Sequence, residues 1–204
     1  MRSSGASSSG GRAGEAGCCG EGSVRSSALV AKYRTVASAY GCDSDALHGS
    51  RPTTPADIAL ARLTTLGAAS EPLRLDGECH GVDFVRRLFE DHATGANRFD
   101  RPGERLLRAW HGGHLVGVGG LNGDPYVADN GIGRLRHLYV LAAHRRLGLG
   151  AVLVRALLRE AEGHFRVVRL RTVSAEAAAF YRRLGFQETA EPNATHVIPV
   201  RLLR

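Results

Sequence analysis

The sequence predicts an α/β protein built on a mixed sheet of about seven strands with helices on both faces. Three observations carry that expectation. Strand-like and helix-like segments succeed one another as β-α-β-β-β-α-β-α-β-β. Two strand-like runs flank a Gly-Gly pair, the mark of an antiparallel hairpin. A third run, 135–140, passes through a glycine-bearing loop into an amphipathic helix, the usual start of a crossover connection.

Taken in order, residues 1–27 are Ser/Gly-rich with almost no large apolar side chains, which predicts a disordered tail. Residues 28–56 read as a linker with a possible short helix at 28–40 (Leu29, Val30, Tyr33, Val36). The folded domain is expected over 57–204. Its first strand is the apolar run 58–63. Val82, Val85, Leu88 and Phe89 recur at helical spacing, and Gly95 is placed to stop that helix. Strands at 105–110 and 115–121 flank His111-Gly112-Gly113-His114. The strand 135–140 follows, then a helix at 151–162 with Val152, Leu153, Ala156, Leu157 and Ala161 on one face. A strand at 167–173, a helix at 175–184 closed by Gly185, and an antiparallel pair at 186–189 and 196–203 complete the order. Pro199 predicts an edge position or a bulge in the last strand.

The chain has 204 residues and a net charge of +7. All but one of its basic residues are Arg, with Lys32 the exception. They are scattered, with no stacking aromatics between them, so nucleic acid is not the expected partner. No apolar run is long enough to span a bilayer, and the N-terminus has no apolar leader core. A cytoplasmic protein is expected. Cys18, Cys19, Cys42 and Cys79 form neither a CxxC pair nor a zinc spacing, so no metal site is expected.

The most informative stretch is Arg145-Arg146-Leu147-Gly148-Leu149-Gly150. Glycines permit a tight turn, the helix from Ala151 offers free backbone N–H groups, and two arginines add charge. That combination is a diphosphate cradle. No Gly-Lys-Ser/Thr follows, which excludes a P-loop nucleotide site. Downstream, Ala177 precedes Phe180-Tyr181-Arg182-Arg183-Leu184-Gly185-Phe186.

The first stretch, preceded by Leu138-Tyr139-Val140, resembles the R/Q-x-x-G-x-G/A acetyl-CoA signature of the GNAT acyltransferase superfamily, here a subgroup expected to be bacterial. The second resembles that superfamily's A-x-x-F-Y-x-x-x-G-F segment. The resemblance covers residues 58–204 and is most specific over 134–186. It implies a GNAT-like fold in which the fourth and fifth strands splay apart. It implies acetyl-CoA as cofactor, held by Leu138, Tyr139, Val140, Arg145, Arg146, Leu147, Gly148, Leu149, Gly150, Ala151, Ser174, Ala177, Phe180, Tyr181 and Arg183. It also implies two helices after the first strand, where the residues supply one convincing helix.

The chemistry expected is acetyl transfer to a primary amine of a small molecule or peptide, by direct attack with no acyl-enzyme. The Val140 backbone N–H is the candidate oxyanion donor and Tyr181 the candidate general acid. Ser174 stands where the family has Asn and is equally a helix N-cap. No carboxylate stands on the fourth strand, so the base is open among Glu104, Asp124, His137, His196 and a water chain. Asn97, Arg98, Asn122, Asp124, Arg134 and His196 are candidates for an acceptor pocket, with Arg98 and Arg134 able to hold a carboxylate. Turn chemistry explains much of the same polar density. The alternative function is a non-catalytic acyl-CoA-binding module. A homodimer is possible on either reading.

Overall fold

The computed structural model describes residues 58–200. The expected N-terminal tail and linker, and the end of the last strand, lie outside them. β1 (Ile58–Arg62) is followed by α1 (Glu71–Cys79) and α2 (Asp83–Thr94). Next come β2 (Arg105–His111), β3 (His114–Gly123), β4 (Ile132–Val140) and α3 (Leu149–Ala161). β5 (Val167–Leu170), α4 (Ala175–Arg183), β6 (Gln187–Glu188) and β7 (His196–Pro199) close the chain.

The seven strands form one mixed sheet in the order β1-β2-β3-β4-β5-β7-β6. Only β4 and β5 run parallel. Gly112 and Gly113 both have positive φ, +58° and +82°, the backbone a two-residue hairpin between twisted strands requires.

Two helices, not one, follow β1. α1 escapes a periodicity reading because Glu71-Pro72-Leu73-Arg74-Leu75-Asp76-Gly77 holds a proline and a glycine. Pro72 sits in the first turn, where the missing N–H has no intrahelical partner to lose. Gly77 is a contact point: a Cβ there would stand 3.0 Å from the Val85 side chain, so its absence lets α1 and α2 press together.

The helices cover both faces. On one, Phe99 lies against Gly120, where a Cβ would be 2.5 Å from its ring, and Tyr139 reaches Asp76 of α1. On the other, Leu153 and Leu157 of α3 pack on Gly117 and Gly119 of β3. Leu106, Val116, Val118, Leu121, Leu153, Leu157 and Val168 are fully buried at the centre.

Pro199 is not on an edge strand, for β7 lies between β5 and β6. β6 reaches only His196 and Val197, however, so Pro199 projects past its end, where no neighbour on that side needs its N–H.

Candidate active site

β4 carries two departures from a regular strand. Val118 pairs with Tyr139 and Gly120 with Arg136, so His137 and Leu138 together face Gly119 alone. That is a β-bulge, and His137 takes the left-handed conformation, φ +54°, to make it. The second departure is on the other side. β5 pairs with β4 only at Ile132, Gly133 and Arg134. Beyond Arg134 the strands diverge, and β4 keeps β3 as its one hydrogen-bonding neighbour. Leu141 N donates to Val116 O at 2.9 Å. By alternation, the Val140 N–H points away from β3, into the opening.

The chain then makes a short turn and enters α3. Arg146 (φ +65°) and Gly148 (φ +80°) are both left-handed, and Gly148 is the helix N-cap. No side chain caps α3. Its first-turn N–H groups, Leu149 through Ala151, are left for a ligand. A cavity of about 560 Å³ lies over them. Of the residues expected to hold the cofactor, Leu138, Val140, Arg145, Arg146, Gly148, Leu149, Gly150, Ala151, Ser174, Ala177, Phe180, Tyr181 and Arg183 line it. Arg155, His144 and Glu176 line it as well, and the motif reading missed them.

Leu147 and Tyr139, also expected to hold the cofactor, are not among the lining residues. Leu147 is exposed. The Tyr139 side chain faces the opposite side of the sheet and donates from its hydroxyl to Asp76 Oδ2 at 2.7 Å. Asp76 also accepts from Ala142 N at 3.0 Å, tying the exit of β4 to α1. Burial, then the Asp76 carboxylate, push the Tyr139 phenol well above its ordinary pKa. Arg145 folds back as well: its Nε donates to Val140 O at 3.1 Å and its guanidinium sits over the Tyr139 ring. Ser174 Oγ accepts from Ala177 N at 3.3 Å, so it does cap α4.

Tyr181 is 9% exposed, packed between Phe180 and Phe186 with ring centroids 5.1 and 5.5 Å away. Its hydroxyl has no hydrogen-bond partner among the described residues, and burial raises its pKa well above the ordinary value. A second cavity, about 250 Å³, lies along the diverging part of β4. It shares Leu138, Ala177 and Tyr181 with the first. Tyr181 is thus a wall common to two openings, one floored by the glycine loop and one lined by Phe84, Arg87, Arg136, His137, Arg171 and Thr172.

Of the expected acceptor residues, Arg134 lines the second cavity and the others do not. Asn97, Arg98, Glu104, Asn122 and Asp124 do share a cavity, about 660 Å³, but at the other end of β4. Gly123, bonded to Glu104, pairs with Gly133. That is seven positions from Val140, about 23 Å at roughly 3.3 Å per residue.

Glu104 is no base for chemistry at Tyr181: its carboxylate accepts from Gly123 N at 3.1 Å and Arg101 N at 3.4 Å, closing a turn. Asn97 Oδ1 accepts from Phe99 N, an Asx turn. Asp124 is a buried counter-ion, its Oδ2 3.1 Å from Arg169 Nε and 3.3 Å from Arg134 Nη1. Arg134 also donates to Asn193 O, and Arg169 to Pro192 O and Glu191. Arg134 thus has a buried counter-ion of its own, although it also lines the second cavity.

His196 is buried on β7 with its ring centroid 6.2 Å from that of Tyr181, and it lines neither cavity. His137 does line the second one. Its Nδ1 pairs with Phe84 O at 2.9 Å, and burial, then Arg136, with a smaller part from Arg87, pushes its pKa down to about 4.

Among the described residues no group of His, Cys, Asp or Glu could hold a metal, and no helix is long and apolar enough to cross a membrane.

The comparisons agree with this geometry. No curated protein matches the chain. A protein assigned as an acetyltransferase, from Exiguobacterium sp. 255-15, is 26% identical, with a TM-score of 0.63 over 70% of this chain and 93% of its own. An acetyltransferase of the GNAT family from Staphylococcus aureus Mu50 is 18% identical, with a TM-score of 0.57 over 71% and 99%. The Salmonella typhimurium protein yncA, assigned as an acetyltransferase and solved with its cofactor acetyl-CoA, is 15% identical, with a TM-score of 0.50 over 72% and 95%. The model of the acetyltransferase (GNAT) family matches residues 71–186, α1 through Phe186. With more than half of its length matched, and with the open β4 and uncapped α3 in place, this chain belongs to the acetyltransferase (GNAT) family, which uses acetyl-CoA.

Proposed function

We propose that the protein is an acetyl-CoA-dependent N-acetyltransferase that modifies a primary amine by direct attack, without an acyl-enzyme. The observation that carries this reading is the pair of cavities meeting at Leu138, Ala177 and Tyr181.

The residues present fit the coenzyme. The uncapped N-terminus of α3 offers N–H donors to a diphosphate, and Arg146, Arg155 and Arg183 supply charge around it. The open side of β4 offers unpaired backbone groups to an amide-bearing arm. When bound, acetyl-CoA supplies an acetyl group activated as a thioester.

The rest of the work falls to this chain. The Val140 N–H, turned into the opening, is placed to stabilise negative charge developing on a carbonyl oxygen. Tyr181 holds a proton on its phenol oxygen at every physiological pH and can give it to a departing thiolate. The amine's proton leaves through water. No carboxylate lines the second cavity, and His137, with a pKa near 4, is too weak a base to take it efficiently. Cys79 is the one cysteine among the described residues; it lies on α1 and lines neither cavity, which supports a route without a cysteine acyl-enzyme.

A thermal-shift series with acetyl-CoA, longer acyl-CoAs and ATP tests the cofactor. Acetyl-CoA at 100 times Kd should add about 2.7 kcal/mol of apparent stability, and ATP much less. A thiol-release assay over a panel of amines then tests transfer. Binding of acetyl-CoA without release on any amine would leave a binding module in place of an enzyme.

A further inference from the structure

The cavity on the acceptor side of Tyr181 has a composition that the acetyltransferase reading alone does not require. Four arginines line it, Arg87 of α2, Arg134 and Arg136 of β4 and Arg171 just after β5, and no carboxylate does; Arg134 is paired with Asp124, which leaves Arg87, Arg136 and Arg171. Arg134 and Arg169, in contrast, are ion-paired with Asp124 and Glu191 and bonded to main-chain oxygens. Arg87 and Arg171 are exposed, and neither has an ion-pair partner among the described residues. Arg136 has one contact, to Asp91 at 4.0 Å, too long for a hydrogen bond. At the base of the cavity lies His137, 8% exposed, with a buried Nε2 that has no partner. Its low pKa shows the same field: positive charge from Arg136 and Arg87 adds to burial in excluding a proton.

A bare ammonium ion would meet three guanidinium groups, two of them without an ion-pair partner among the described residues. An amine that also carries an anion would bring them a counter-charge. Its anion would meet guanidinium groups suited to carboxylate or phosphate. Nearby positive charge would also favour the neutral, attacking form of its nitrogen.

Resting on the N-acetyltransferase reading, we propose that the acceptor is a primary amine bearing an oxyanion group, a carboxylate or a phosphate, and that Arg87, Arg136 and Arg171 select it. The anion lies among the arginines and the amine toward Tyr181. These three differ from the arginines that the sequence alone suggests for an anion, Arg98 and Arg134.

The test is acetyl-CoA-driven thiol release on matched pairs: amino acids against their decarboxylated amines, and O-phosphoethanolamine against ethanolamine. The anion-bearing member of the best pair should have a kcat/KM about ten- to a hundredfold higher, the range for a charge-assisted contact. The series that shows the larger ratio tells carboxylate from phosphate. Arg171→Gln and Arg87→Gln, both at exposed positions, should each raise KM for the anionic member about tenfold more than for its neutral partner. Calorimetric titration of that same amine into the CoA-bound protein should show the matching loss of affinity without turnover.

Equal or better use of the neutral members overturns the proposal. So do variants that shift both members alike, and so does a protein that binds acetyl-CoA but neither binds nor acetylates any anionic amine of the panel. Failure to bind acetyl-CoA at all is a different result, and it removes the enzymatic reading beneath this one.

Discussion

The two ends of β4 use the same residue types for opposite purposes. At the start, Arg134 faces Arg169 across a parallel pairing, and Asp124 lies between their guanidinium groups. Every charge there has a protein partner, and the cluster fastens 191–193 to the sheet. At the far end β5 has turned away, α3 has no capping side chain, and Arg87, Arg146 and Arg171 have no hydrogen bond to a protein group among the described residues. Polar density does not separate a clasp from a site. What separates them is whether the arginine charges already have a buried counter-ion.

The strongest way to break this contrast is at the clasp. Asp124→Ala leaves two buried guanidiniums without their counter-ion and should cost about 3–5 kcal/mol, read from urea unfolding. Acetyl-CoA affinity measured below the unfolding transition should stay near wild type. A loss of affinity with stability intact would make Asp124 part of the site after all.

At the open end, Tyr181→Phe should lower kcat about ten- to a thousandfold and leave acetyl-CoA affinity unchanged. An unaltered kcat would return Tyr181 to the packing role its contacts with Phe180 and Phe186 already describe.

The bulge between the two ends gives a pH signature. His137 titrates near 4 in the folded protein against an ordinary value of 6.5. The unfolded chain takes up that proton first, so this stability is present above pH 6.5 and is lost as pH falls toward 4. The increment is about 3 kcal/mol. Unfolding at pH 7 and pH 4.5 should show a flatter pH dependence in His137→Gln.

The smallest effect is at Arg146, a non-glycine residue held at φ +65°. Arg146→Gly should relieve about 1 kcal/mol of backbone strain and raise Tm. It should also weaken acetyl-CoA binding severalfold, because a charge beside the cradle goes with it.

Much of this molecule was legible in its sequence, and the misses share a cause. Strand and helix periodicity recovered all seven strands and three of four helices. The motif stretches placed thirteen of the fifteen expected cofactor residues on the cavity over α3. α1 was lost because Pro72 and Gly77, breakers on propensity grounds, are tolerated through end position and tight packing. Asp76 was lost with it, although it anchors Tyr139 and Ala142. The bulge left no mark, since a histidine rather than a glycine adopts the positive φ. The sequence could not show that most of the expected acceptor residues share a cavity other than the one beside Tyr181. One signal was available: Arg169 stands inside the apolar run Val167-Val168-Arg169-Leu170, and a charge buried in a strand needs an ionic partner.

The parting of β4 from β5 has a cost for solubility that the architecture contains. A row of main-chain donors and acceptors without a neighbouring strand is the feature through which proteins stick to their own copies. Here that row runs down the middle of a sheet, behind Tyr181 and Ala177 of α4 and Phe84 of α2. The open lane thus lies between two covering helices and not along an outer strand. The protein therefore carries an open pairing lane inside its sheet, away from the outer strands β1 and β6.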